Sequence, residues 1–547
     1  MLTTSMTMSQ ALDLVAQARK DQEALVYEGQ RLTYGQILGR VRALACGLKS
    51  LGIGKGERVV CLLHPGPEFV FLFFAVAEIG AVLLPVNPLI RPRGLIDIMQ
   101  DAEPSGLVSA RPLDHEEVYK GLAGLRHFVR VGSGAGRGIA LDDLIRTGVG
   151  APRPVAQVSP QDLLVLLYTS GTTGKPKGTM HSHRSLIAPV LASIKFRDLW
   201  VKRPSLKWLG QSAMALVRYR GRLLSAAGKP QSILSTGGWH NITGLEVMLQ
   251  ALLMGDRLVV LPRFHPREAL RLVEREQVTI LVAVPMAFRM MLELEDFESH
   301  NTRSLLICAT GGAPCPPELA SEIQRRFGCA LHIGFGTTET GGGISATDLS
   351  DSRHRQAYTV GRPMPGIEVK VVDEERQPLP AGQVGELACR GEGLMLGYYH
   401  APELSSGVID EDGWYYTGDL AMIDEQGYLQ IVGRVKDVII RGGQNLYPAE
   451  IEAFLVAHPN IREAAVVGVP SRVAGEEAWA FLILEDGVQM SALDVLNYCR
   501  SELEPYKIPT QVRFLQDFPR AESGKPQKFR LRQAAFKENE EAETHAE

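Results

Sequence analysis

From residue 58 to about residue 430, short apolar runs alternate with segments whose apolar residues recur at helical spacing, and few architectures accept that order. Residues 58–63 read as a strand, 68–79 as a helix and 81–85 as a second strand. The same order returns at 257–261, 267–275 and 279–284. Pro316-Pro317 opens a helix that carries Leu319, Ile323 and Phe327 on one face. From Ile367 the pattern changes to alternation through Val369 and Val371, with glycine-rich turns that predict antiparallel strands. A third texture starts near Gly433: helices at 448–456 and 492–503 are interleaved with strands at 464–469 and 478–484. The predicted fold class is α/β: a large layered N-terminal α/β domain with a β-rich end, plus a small α+β C-terminal domain. The expected boundaries are 1–433, 434–536 and a disordered tail at 537–547, whose end is acidic and lacks aromatic residues.

A chain of 547 residues is too long for one ordinary domain. Its hydrophobic content of 45% and charged content of 22% are those of a soluble globular protein with a large core. A net charge of −4 gives no case for nucleic-acid binding. Seven scattered cysteines without a CxxC pair point to reduced thiols rather than a disulfide framework or zinc site, and so to the cytoplasm. No signal peptide is legible, and the start of the chain is expected to fray to about Ala11. Apolar stretches such as 69–77 are far shorter than the roughly 20 residues that cross a bilayer.

Behind the apolar run 163–167 comes Tyr168-Thr169-Ser170-Gly171-Thr172-Thr173-Gly174-Lys175-Pro176-Lys177-Gly178. Glycines let backbone N–H groups approach a ligand, hydroxyls add donors, and lysines add positive charge; together they suit phosphate. Pro176 stands where a Walker A loop needs Ser or Thr, and it argues against a helix starting there. Further on, Phe335-Gly336-Thr337-Thr338-Glu339-Thr340 sets a carboxylate beside hydroxyls at a strand end, a pattern able to hold Mg²⁺. Tyr416-Thr417-Gly418-Asp419-Leu420 puts an acid after an expected tight turn, suited to ribose hydroxyls. Ile431-Val432-Gly433-Arg434-Val435-Lys436-Asp437, Arg441-Gly442-Gly443-Gln444-Asn445 and Pro519-Arg520-Ala521-Glu522-Ser523-Gly524-Lys525 complete the series.

The ordered set resembles the adenylate-forming superfamily in its acyl-CoA synthetase branch, over about residues 30–530. The resemblance implies an ATP-dependent ligase that makes an acyl-adenylate and passes the acyl group to coenzyme A. It implies that Thr169, Ser170, Gly171, Thr172, Thr173 and Lys177 bind the phosphates of ATP. Thr338 would touch the α-phosphate and Glu339 would ligate Mg²⁺, while Gly312 and Ala313 would lie along adenine and the acyl group. Gly334 joins the nucleotide-binding set, and Asp419 with Arg434 would hold the ribose. Lys436 would be the pivot of a mobile C-terminal domain, Gly442 and Gly443 would admit pantetheine, and Lys525 would be the catalytic lysine.

The stretch 234–244 contains no acid, which argues against an amino-acid substrate, and no carrier domain follows. In many relatives of this branch a Pro-Leu-Phe-His element with Gly three residues after His occupies that place. Here Trp239 replaces Phe and Gly244 comes four residues after His240, so either Trp239 or His240 could be the gating residue, or His240 could cap the next helix. His240, Asn241, Gly311, Gly312 and Thr337 are the expected acyl-pocket lining, with Asn241 available to a polar substituent. The expected substrate is a fatty or other hydrophobic monocarboxylic acid; the alternatives are an aryl-CoA ligase and an adenylating enzyme that loads a carrier protein. A homodimer is an open alternative to a monomer. The segment 193–232 holds nine basic residues against one acid, open to a solvated surface, coenzyme A phosphates, a subunit partner, or peripheral membrane contact through 195–222.

Overall fold

The computed structural model describes residues 1–111, 124–132, 138–154, 156–169, 177–202, 228–441, 444–471, 474–520 and 526–544. Contacts divide the chain into two compact units, each discontinuous in sequence: Met1–Glu368 with Cys389–Tyr415, and Val369–Ala388 with Tyr416–Glu547. That division falls upstream of residue 433 because Glu368–Val372 and Val384–Arg390 share a four-stranded sheet with Tyr415–Ile423 and Leu429–Arg434.

The first unit contains two large mixed sheets. One is nine-stranded and carries Ser232–Ser235, Ile280–Val282, Ile307–Thr310 and Ala330–Thr337 as parallel neighbours in its middle. The other is eight-stranded, with Arg58–Leu62 parallel to Val82–Pro85 and Gly106–Ser109. All residues of Val82–Pro85 and of Gly106–Ser109 are buried, as parallel strands covered on both faces require. The helix Pro67–Ile79 is buried on nearly every side, which explains the unbroken apolar run from Phe69 to Ala77. Its phenylalanines share one core with Leu25 and Leu258 of the first sheet and with Val59 and Leu83 of the second, so it lies between them.

Two expectations fail at the ends of the chain. Thr7 and Gln10 form a capping box that starts the helix Met8–Ala18, and Met8 is fully buried with its N–H donating to His183 Nδ1 at 3.0 Å. The N-terminus is therefore docked rather than frayed to Ala11. At the other end the helix Lys528–Thr544 runs past residue 537, because Leu531 and Ala535 are buried and Arg513 Nε bonds Glu538 Oε1 at 2.8 Å.

In the second unit the long hairpin of Ile461–Ser471 and Gly475–Leu484 organises a sheet covered on both faces. Ala478, Ala480 and Leu482 pack with Ile451, Leu455 and Val495 on one side. Trp479, Phe481 and Ile483 pack with Phe518 and Leu531 on the other, so the period-two alternation feeds two cores at once.

Candidate active site

The phosphate-loop sequence joins two antiparallel strands, Leu163–Thr169 and Lys177–Ser182, with Thr169 opposite Lys177 and Tyr168 opposite Gly178. A strand rather than a helix follows Pro176, in keeping with the proline. Ser170, Gly171, Thr172 and Thr173 lie outside the described residues. Lys177 Nζ stands 5.6 Å from the centre of the Tyr398 ring, and the Tyr398 hydroxyl donates to Glu339 Oε1 at 2.9 Å. The loop's lysine and the candidate metal ligand are thus brought together through a tyrosine.

Glu339 sits on the turn Thr338–Thr340, between the strands Ala330–Thr337 and Gly342–Ala346. Thr340 Oγ1 accepts from Thr337 N–H at 3.2 Å and lies 2.7 Å from Gly342 O, closing the turn. His181 fixes it from below: Nε2 lies 2.8 Å from Thr338 O, and a carbonyl only accepts, so Nε2 carries the proton. Burial pushes the His181 pKa down to about 4, and the ring is neutral at ordinary pH. Met395 N–H donates to Glu339 O at 2.8 Å. Gly336 is required by close approach, since a Cβ there would fall 2.1 Å from Gly342 O. Tyr415 is buried beside this turn; desolvation raises its pKa first and the Glu339 charge adds to that, while Thr337 opposes it by a side-chain bond.

Glu339 is half-buried, and its Oε2 has no hydrogen-bond partner among the described residues. Those residues contain no cluster of three or more His, Cys, Asp or Glu side chains fit for a metal. A lone carboxylate with one oxygen held and one open still matches Mg²⁺, which keeps several waters and binds through one or two carboxylates plus phosphates.

Gly311, Gly312 and Ala313 follow the adjacent strand Ile307–Thr310. A Cβ at Gly311 would lie 2.7 Å from Gly334 O, and Gly312 has a left-handed φ of 75°. This places Gly334 and the Gly311–Gly312 turn against each other.

The unusual stretch at 234–244 resolves in part. Trp239 is buried, edge-on to Phe69 with ring centres 5.3 Å apart, and is a core residue rather than a gate in this structure. His240 is half-buried, with its ring folded over Gly238. It does not cap the following helix, because Asn241 is the cap: its Oδ1 accepts from Gly244 N–H at 3.0 Å. One lone pair of that oxygen is committed to the backbone, which leaves its second lone pair and the amide nitrogen of Asn241 for a substrate.

In the second unit Asp419 and Arg434 face each other on paired strands, with Arg434 Nε donating to Asp419 Oδ1 at 2.7 Å. The expected tight turn before Asp419 is absent. Gly418 instead takes a φ of 70° within the strand Tyr415–Ile423, with its N–H donating to Glu386 Oε1 at 2.9 Å. Asp419 is largely buried and Arg434 is exposed, so the pair offers an anchored carboxylate beside an accessible cation. Lys436 is exposed on the turn Val435–Asp437 directly after Arg434. Gly442, Gly443 and Lys525 lie outside the described residues, as does most of the basic segment. Of its described part, Arg197 pairs with buried Asp256 at 3.0 Å, a structural use of that cation.

His181, Tyr398 and Tyr415 escaped the sequence reading. Each touches the Thr337–Glu339 backbone or side chains from more than fifty residues away, and none sits in a motif. No local signal marks His181, whose strand is buried at Gly178, Thr179, His181 and Ser182 without alternation.

Within the first unit, a carboxylate on a glycine-bounded turn stands beside a lysine at the end of the loop strand, an arrangement chemically suited to phosphate and a metal ion. The AMP-binding enzyme family matches residues 12–399, and the AMP-binding enzyme C-terminal domain matches residues 450–525. The chain belongs to this adenylate-forming family and is an AMP-forming acid–thiol ligase of the acyl-CoA synthetase branch. It is 32% identical over 559 residues to the mitochondrial medium-chain acyl-CoA ligase ACSF2 of Mus musculus, covering 96% of this chain and 87% of that protein. It is 31% identical over 509 residues to the feruloyl-CoA synthase of an Amycolatopsis species, covering 93% and 95% of the two chains. The crystal structure of the anthranilate CoA ligase AuaEII with anthranoyl-AMP superposes with a TM-score of 0.84 at 26% identity, covering 98% of each chain. ATP and coenzyme A are the substrates of such ligases. No described helix is long and apolar enough to cross a membrane.

Proposed function

We propose that this ligase activates a hydrophobic monocarboxylic acid, fatty acids included, and delivers it through acyl-AMP to coenzyme A. The observation that carries the reading is the Glu339 turn with Lys177 and Tyr398 beside it; a small apolar cluster of Ala192, Ala346 and Met364, with Phe196 and Ile367 against it, adjoins the same hairpin. The mouse relative named for medium-chain acids supports the aliphatic form. The relatives named for ferulate and anthranilate favour an aryl acid as the second reading.

In this mechanism the phosphates of ATP lie on residues 169–173 and Lys177, with Thr338 at the α-phosphate. Asp419 and Arg434 take the ribose hydroxyls, and adenine runs along Gly312, Ala313 and Gly334. Glu339 would hold Mg²⁺, which supplies charge neutralisation to the phosphates when bound. One oxygen of the acid attacks the α-phosphorus, the bond to the bridging oxygen breaks, and pyrophosphate leaves. Lys525 supplies the cation that stabilises the charge developing on those oxygens. His240 lies along the acyl group. In the second half-reaction the C-terminal domain, taken as 434–536, turns about Lys436, and Gly442 and Gly443 admit pantetheine. The thiol sulfur attacks the acyl carbonyl carbon, AMP departs with the C–O electron pair, and the thiol proton passes to solvent.

A panel of carboxylic acids assayed for coenzyme A-dependent AMP release tests the assignment; ATP–pyrophosphate exchange without coenzyme A consumption would move it to a carrier-loading enzyme. Lys525→Ala is expected to lower adenylation about 100-fold or more while sparing thioester formation from supplied acyl-adenylate. Equal loss in both half-reactions would sink the domain-turn account. All seven cysteines are free thiols, which supports a reducing compartment, taken as the cytoplasm. Peripheral contact through 195–222 is tested by flotation with anionic liposomes, and a homodimer by sedimentation.

A further inference from the structure

The helix Ile242–Leu253 carries a carboxylate that the mechanism does not use. Glu246 has no Lys, Arg or His partner among the described residues. Its Oε1 accepts from Gln250 Nε2 at 2.8 Å and, at the long distance of 3.4 Å, from Gly343 N–H. Gln250 Nε2 also donates to Ser193 Oγ at 2.9 Å, so the side chain is steadied from two helices. Its Oε2 has no hydrogen-bond partner among the described residues. Glu246 as a whole is half-buried rather than sealed in the core.

Where that carboxyl group lies follows from the neighbouring glycines. A Cβ at Gly342 would lie 2.4 Å from Glu246 Cδ, so the carboxyl group fills the side-chain space above that backbone. Gly342 pairs with Thr337, one residue before Thr338 and two before Glu339. One turn earlier on the same helix, Thr243 Oγ1 lies 3.8 Å from where a Gly312 Cβ would stand. The face of the helix that bears Thr243 and Glu246 therefore lies against Gly312 and against the Gly342 backbone that pairs with Thr337, and Gly312 and Thr337 both belong to the expected acyl-pocket lining. A carboxylate in such a place is costly to hold without a donor, and burial pushes its pKa up to about 7. A purely structural anchor explains one oxygen and leaves the other without a role.

We infer that Glu246 is a specificity-determining residue whose free carboxylate oxygen accepts a hydrogen bond from a hydroxyl or amino substituent of the acid, remote from its reacting carboxyl group. This rests on the acyl-CoA ligase reading and narrows it to hydrophobic acids that carry one hydrogen-bond donor. A site built around a buried acceptor discriminates strongly against the analogue lacking the donor, whereas an apolar wall separates the two weakly.

The test is a paired comparison of kcat/KM in the full-length protein with ATP, Mg²⁺ and coenzyme A. Octanoic acid is set against ω-hydroxyoctanoic acid, and benzoic acid against its para-hydroxy and para-amino derivatives. The expected wild-type result is a preference of about 10-fold or more for at least one donor-bearing acid over its plain partner. Glu246→Gln keeps the side-chain size but replaces one acceptor by a donor, and should collapse that ratio toward one; Glu246→Leu should invert it. The hydroxy and amino arms identify which donor is read. Plain acids used as well as or better than every substituted partner by the wild type would overturn the assignment while leaving the ligase reading standing. A preference that survives Glu246→Gln unchanged would overturn it as well. No coenzyme A-dependent AMP release with any acid would remove both readings.

Discussion

The two units hold their candidate site residues in opposite ways. In the first, the Thr337–Gly343 hairpin is fixed by contacts from far along the chain: a neutral buried histidine under Thr338, a tyrosine on Glu339, and glycines that let backbones nearly touch. In the second, Asp419 and Arg434 face each other across paired neighbouring strands, with an ion pair whose arginine is exposed. On the proposed mechanism, the contrast teaches that the group that would handle charge at the reacting centre is over-determined, while the one that would grip the ribose rests on local geometry. Packing around the first region resists rearrangement, and the second can adjust its arginine at little cost.

The largest expected effect separates the two regions by kinetic parameter. Glu339→Gln should lower kcat for adenylation by about 100-fold or more, read by pyrophosphate release. If KM for ATP rose instead with kcat intact, the hairpin would be a binding element like the other region. A second test uses pH. Burial holds both His181 and His183 near pKa 4 against an ordinary value of 6.5. As pH falls through 6.5 the unfolded chain takes up protons first, so each ring removes stability between about pH 6.5 and 4, by about 3 kcal/mol per ring. His181→Gln keeps a donor toward Thr338 O without titrating. The stability gap between wild type and variant, measured by urea unfolding at pH 7 and pH 4.5, should therefore narrow at the lower pH. A constant gap would show that His181 does not hold the turn in its neutral form.

Smaller changes follow. Asp419→Asn should raise KM for ATP by about 10-fold, near 1.4 kcal/mol, with kcat little changed. A matching fall in kcat would make that pair part of the chemistry. Tyr398→Phe removes one hydrogen bond from Glu339 and should lower kcat/KM for adenylation about 5-fold, near 1 kcal/mol. No change would mean that the carboxylate is positioned by its backbone alone.

How much of this was legible depended on the range of the physics. The strands and helices of the layered unit appear close to where periodicity predicts them, as at Pro266–Arg275 and Pro317–Arg326, because their apolar residues face cores on a helical or alternating period. The capping box at Thr7 and Gln10 was equally local and was overlooked, which is why the N-terminus was expected to fray. The register of Asp419 with Arg434, by contrast, needed the bulge near Leu420 and the left-handed Gly418. The choice between Trp239 and His240 as the gate turned on Phe69, distant in sequence, which packs on the edge of Trp239.

By itself the sequence determined the layered α/β class, the order of nucleotide-handling motifs and the glycines that mark close backbone approach, since these express local conformational preference and short-range chemistry. Only the tertiary structure decided that His181 and Tyr398 brace Glu339, that Asn241 rather than His240 caps its helix, and that Glu246 stands above Gly342 with an oxygen to spare. Those contacts join segments far apart in the chain, and burial sets their energetics. Neither the distance between such groups nor the loss of water around them is written in any one stretch of residues.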